Sequence, residues 1–183
     1  MRSLLLGCTI SLAALCTSSY ALTPTWISGT PELGSGGPSR SSGLGVVHPL
    51  DNPGNTSKAP SWVDPEGNLW LYRIPEDMWR YTPSTNIWTR MNAGGGPQTS
   101  GGTFGGGLTQ ATWLGNDNSL WMIDFVHYWR YNTQSNTWGL MGEHSVFLTT
   151  GTLGVPSTAN SPGHRTESVT WTDNNNDIYL FGG

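Results

Sequence analysis

A chain of 183 residues is long enough for one compact domain, and its composition (11% charged, 11% aromatic, 25 Gly, 12 Pro) suits short strands joined by tight turns rather than helices. The net charge is −4 with the acids scattered, which leaves no clustered basic face and excludes nucleic acid as an expected partner.

In chain order, residues 1–21 read as a secretory signal peptide. Arg2 supplies a positive start, residues 4–15 an apolar stretch, and Ser19-Tyr20-Ala21 a small-residue cleavage site. The apolar stretch is shorter than the ~20 residues a membrane span needs. Export is therefore expected, into the medium or a periplasm, with no membrane association after cleavage. Both cysteines, Cys8 and Cys16, lie in this leader, so the cleaved chain would hold no disulfide or thiolate. Its net charge would be −5, from 7 basic and 12 acidic residues once Arg2 is removed.

Residues 22–52 hold Trp26-Ile27-Ser28-Gly29, which reads as the last strand of a preceding unit, followed by a flexible Gly/Ser/Pro-rich loop. A first full unit occupies residues 53–92. Its strands are predicted at 57–63, 68–73, 77–82 and 87–91, with turns at Asp64-Pro65-Glu66-Gly67 and Pro83-Ser84-Thr85-Asn86. Residues 104–142 repeat this order, with strands predicted at 108–114, 119–123, 127–132 and 137–141. Residues 162–183 begin a third copy at Pro162-Gly163, carry Trp171 and the strand 177–181, and stop at Gly182-Gly183.

The tryptophans reveal the repeat. Trp62, Trp70, Trp79 and Trp88 recur as Trp113, Trp121, Trp129 and Trp138 after a shift of 50 or 51 residues, and Trp171 with Tyr179 opens the third copy. A period near 50 with four short strands per unit is the signature of a propeller. The regular register marks these rings as inter-blade packing residues rather than a sugar-stacking surface.

The strings SWVDPEGNLWLY, DMWRYTPSTNIWTRM and VTWTDNNNDIYLFGG resemble the kelch repeat, from residue 53 to the end. The resemblance implies an all-β, incomplete propeller of antiparallel four-stranded blades, about two and a half of them. One departure is that the glycine pair of that repeat occurs only at Gly182-Gly183, while Arg73 and Asp124 stand in its neighbourhood earlier. A ring of six or seven such units needs roughly 300 residues, so the chain reads as a fragment of a larger propeller. Unpaired edges and apolar faces would then make the isolated chain self-associate.

In a four-strand meander, the links from second to third strand share a face with the links between blades. That face carries the long loops 30–52, 92–103 and 142–161, and binding is expected there. Its candidate binding residues are Arg73, Asp77, Asp124, His127 and His144, whose simplest reading is solvated loop side chains. The four histidines are spread without metal-site spacing, and no metal or cofactor is expected. Asp173, Asn175 and Asp177 alternate like a calcium loop but lack its glycine, and read as a turn. No Gly-x-Ser-x-Gly frames a nucleophile, and the run 94–107 lacks a phosphate-loop ending. Asn55-Thr56-Ser57 fits a glycosylation sequon. Kelch-like repeats imply a non-enzymatic binding module, with a protein or carbohydrate ligand. The alternative is the N-terminal part of a secreted propeller enzyme resembling galactose oxidase, a copper radical oxidase.

Overall fold

A computed structural model describes residues 39–183 other than 55, 57–58, 74–76, 95, 100–101, 104–110, 125, 146, 166–167, 174 and 176. The leader, the Trp26 strand, Asn55 and the start of the strand expected at 108 lie outside the described residues.

The described chain is all-β. β1 (Ser61–Val63), β2 (Leu69–Arg73), β3 (Asp77–Thr82) and β4 (Ile87–Ala93) form one antiparallel meander. β5 (Gln98–Thr99) and β6 (Gly102–Thr103) make a small hairpin in the following loop, an element that a glycine-rich stretch does not announce. β7 (Ala111–Leu114), β8 (Leu120–Ile123), β9 (His127–Asn132) and β10 (Thr137–Glu143) form the second four-stranded sheet. β11 (Val169–Thr172) and β12 (Ile178–Phe181) form a third, two-stranded sheet. None of the three closes on itself; they stand as successive blades of an incomplete propeller-like array.

Each hairpin has a local cause. The Asp64 oxygens accept the Asn68 backbone N–H at 2.8 Å, the Asn68 side-chain amide at 2.9 Å and Trp70 Nε1 at 2.8 Å, which closes the β1–β2 turn. Asp173 repeats this in the third sheet, accepting the N–H groups of Asn175 and Asp177 and the Tyr179 hydroxyl. The Asp-x-Asn-x-Asp spacing is thus used to close a turn. The second sheet has Gly115 in that place, because Trp121 Nε1 lies 2.7 Å from where a Cβ would sit. At the β3–β4 and β9–β10 turns, Asn86 and Asn136 adopt φ of 57° and 56°, a left-handed region that asparagine tolerates. Each accepts a hydrogen bond from the tyrosine that precedes it, Tyr81 at 2.7 Å and Tyr131 at 3.1 Å.

The core lies between the first two sheets. Trp62, Trp70, Tyr72 and Met78 interleave with Leu120, Met122, Trp129 and Tyr131 in a single cluster, with Trp138 against it. Trp62 Nε1 donates to the Trp121 carbonyl at 2.8 Å, and Arg80 lies over the Trp70 ring. The inner strands are stitched in series: Thr112 Oγ1 donates to the Ser61 carbonyl, and Thr170 Oγ1 to the Thr112 carbonyl. The repeat register does not bury every tryptophan. Trp62, Trp70, Trp79 and Trp129 are buried, but Trp171 is 50% exposed and Tyr179 is 44% exposed, because no sheet covers their side of the third blade among the described residues.

Candidate functional site

The ends of β2 and β3 in the first blade, and of β8 and β9 in the second, carry four of the five residues proposed from sequence. Two of them correct the reading as solvated loop side chains: Asp77 is 1% exposed and Asp124 is 5% exposed. A buried carboxylate must be paired or hydrogen-bonded, and both are.

In the first blade Asp77 lies between two guanidinium groups. Arg90 Nη2 on β4 is 2.5 Å from Oδ1, and Arg73 Nη1 at the end of β2 is 3.5 Å from Oδ2. Arg73 also donates to Ser39 Oγ at 3.2 Å. In the second blade Asp124 takes the place of Arg73 and His127 that of Asp77. Asp124 accepts the N–H groups of Val126 and His127, His127 Nδ1 lies 2.8 Å from Oδ1, and Trp129 Nε1 donates to Oδ2 at 2.8 Å. His127 Nε2 turns toward Glu143 Oε1, 3.7 Å away on β10. One blade thus holds an anion between two cations, and the next holds an imidazole between two carboxylates.

A bulge lies beside each cluster. An irregularity between Met78 and Trp79 sets Ala93 opposite Asp77, and one between Leu140 and Gly142 sets Glu143 opposite His127. The exchange at the strand-two exit has a side effect. Asp124 satisfies the Trp129 indole, whereas Arg73 stands in the matching place of the first blade and Trp79 Nε1 is buried without a hydrogen-bond partner among the described residues.

His144 sits apart from both clusters. Its N–H donates to the Val126 carbonyl at 2.7 Å, Nδ1 lies 2.9 Å from the Ser145 carbonyl, and its ring packs on Tyr128 with centroids 5.4 Å apart. The structure therefore groups Arg73 with Asp77, and Asp124 with His127, and leaves His144 as a loop-anchoring residue. An Asp–His pair activates a nucleophile when the second ring nitrogen meets a hydroxyl or thiol, and here it meets a carboxylate. Among the described residues no three His, Cys, Asp or Glu side chains are grouped to hold a metal ion.

Sequence reasoning missed Arg90 and Glu143, which lie far along the chain from their partners. It also missed that two of the long loops are folded alike. Residues 40–52 are closed by a two-bond bridge between Arg40 and Asn52, and residues 149–161 by the same bridge between Thr149 and Ser161. A readable signal existed: Leu44-Gly45-Val46 precedes Pro53-Gly54 at the same spacing as Leu153-Gly154-Val155 precedes Pro162-Gly163. Gly163, at φ 69°, allows the second closure, since a Cβ there would lie 2.7 Å from the Leu148 nitrogen. The first loop is stapled by Asp51, 2% exposed, which accepts the N–H and hydroxyl of Ser42 at 2.9 Å each. Gly45 N–H ties it to the Arg90 carbonyl at 2.8 Å, beside the Asp77 cluster. Both loops turn apolar side chains outward: Leu44, Val47 and Leu50 in the first, Leu148, Leu153 and Val155 in or beside the second. The second frames an open groove of about 480 Å³ lined by Leu148, Leu153 and Pro162.

Compared with known proteins, the chain matches no protein-family model and no curated protein.

Proposed function

We propose that the chain is an exported, non-enzymatic binding module, a piece of a kelch-like propeller that takes a protein ligand on its long-loop face. The observation that carries this reading is the pair of matched loops. Each spends its polar groups on internal closure while keeping large aliphatic side chains in water, with Leu153 100% exposed, Leu148 60% and Leu50 58%. Exposed aliphatic side chains gathered on one loop are the kind of surface that serves protein interaction. Aliphatic tips offer no flat ring for a sugar, which favours protein over carbohydrate. The charged clusters beneath are consumed in holding the strand ends, so they position the loops rather than contact the ligand.

The test is selection of the full chain against a phage-displayed random-peptide library and an array of immobilised glycans. Saturable peptide capture that falls at least about tenfold in Leu153→Glu and Leu50→Glu is expected, since one lost hot-spot contact is worth that much. Capture of glycans alone, or peptide capture indifferent to both substitutions, refutes the reading.

A further inference from the structure

One polar group of the second matched loop stands outside its internal closure. Counted back from Pro53 and Pro162, Asp51 of the first loop corresponds to Asn160 of the second, and Ser42 to Gly151. In the first loop Asp51 is buried, and its two oxygens accept the Ser42 N–H and hydroxyl at 2.9 Å each. In the second loop Gly151 has no hydroxyl to give. Asn160 Oδ1 and Nδ2 lie 2.6 Å and 3.3 Å from where a Cβ on Gly151 would sit, so the missing side chain is what lets the carboxamide occupy that spot. The Asn160 backbone N–H donates to the Ser157 carbonyl, and Thr149 and Ser161 pair with each other. The Asn160 carboxamide itself is exposed and makes no hydrogen bond among the described residues.

This free group lines the open groove, beside Leu148, Leu153 and Pro162. Residues 145–163 contain no Asp, Glu, Lys, Arg or His. A charged ligand group entering the groove would lose part of its hydration and meet no counter-charge from this loop. A carboxamide instead offers an acceptor oxygen and donor hydrogens side by side. That is the complement of a peptide, because the N–H and C=O of one extended residue point to the same edge.

We propose that Asn160 clamps the main chain of the ligand. Its carboxamide pairs with the N–H and C=O of one residue in an extended, uncharged stretch of a partner protein, whose apolar side chains rest on Leu148, Leu153 and Pro162. This rests on the reading of the loops as a protein-binding surface and adds which loop reads the main chain. The corresponding group of the first loop, Asp51, is already paired with Ser42, so main-chain recognition belongs to the second.

The experiment takes the tightest peptide selected from the phage-displayed library, together with copies that each carry one backbone N-methyl group. Calorimetric titration compares the unaltered chain with Asn160→Leu, Gly151→Ala and Leu153→Glu, and near-ultraviolet circular dichroism checks folding. Gly151 is not among the left-handed glycines, so an alanine there meets the carboxamide first and displaces it. Asn160→Leu and Gly151→Ala should each bind the selected peptide about tenfold more weakly. One N-methyl position should weaken binding to the unaltered chain about fivefold and have little further effect on Asn160→Leu. Affinity should change less than about twofold between about 0.05 and 0.5 M salt. A peptide lost with Leu153→Glu that binds Asn160→Leu and Gly151→Ala as well as the unaltered chain overturns the clamp, while the protein-binding reading stands. An N-methyl effect undiminished in Asn160→Leu, or a steep salt dependence, overturns the clamp in the same way. Failure to select any peptide, or binding indifferent to Leu153→Glu, overturns both.

Discussion

At the first hairpin, burial opposes the charge of Asp64, yet the hydrogen bonds from Trp70 Nε1, the Asn68 amide and the backbone N–H groups of Asn68 and Glu66 outweigh it. The carboxyl is held below its ordinary value of 3.8. A lowered folded value means that the ionised form supports the fold. That support is complete above the unfolded-chain value, about 3.9, and is lost as the pH falls through the lower folded value. Asp64→Asn keeps one acceptor oxygen and removes the charge. It is expected to cost about 1 kcal/mol at neutral pH, and the deficit should shrink below about pH 4, as read by thermal melts across that range. Tyr131 shifts the other way, its phenol pushed up by burial between the sheets, so it stays neutral and donates to Asn136 throughout the physiological range.

Among the elements, the β9–β10 hairpin shows why the Trp-x-Tyr strand is followed by an asparagine. The turn needs a left-handed residue, and the tyrosine hydroxyl needs an acceptor; Asn136 supplies both. Asn136→Ala should cost about 1–3 kcal/mol, and Asn136→Gly less, because glycine keeps the backbone conformation while losing only the side-chain bond. A double-mutant cycle with Tyr131→Phe, followed by urea denaturation, should return a coupling of about 0.5–1.5 kcal/mol. The turn of this hairpin was legible in the sequence to the residue, since β3 and β9 alternate aromatic and polar side chains and end in turn-forming residues, although β10 runs to Glu143, beyond the expected end at 141. β5 and β6 were not, because Gly102 and its neighbours carry no alternation to read. The burial of Asp77 was hidden for a different reason. Its cationic partner Arg90 lies 13 residues away and reaches it only across a bulge. Trp171 misled in the opposite sense, because its register fixes the side of the sheet it lies on while its exposure depends on the neighbour that covers that side.

Across the whole molecule, the first two blades share one core, and neither can lose its half without exposing the other. Met122, fully buried among residues of both sheets, reports on this. Met122→Ala should cost about 2–5 kcal/mol, and the chain should still unfold in one step, with tryptophan fluorescence and far-ultraviolet circular dichroism tracing the same curve. Separate curves for the two probes would mean that the blades melt independently.

A protein assembled from near-copies runs the risk of threading a strand into the wrong blade. The exchange of Arg73 for Asp124, and of Asp77 for His127, makes the corresponding strand ends unlike. Were β8 to take β3 as its neighbour, Asp124 would meet Asp77, two carboxylates brought together with Arg90 as the one cation beside them. The reciprocal mistake, β2 beside β9, would set the Arg73 guanidinium against the His127 ring, parting Arg73 from Asp77 and the ring from Asp124 and leaving only Glu143 beside it. Each cluster thus suits its own hairpin and mismatches the other, a difference that strands of otherwise similar sequence would not carry.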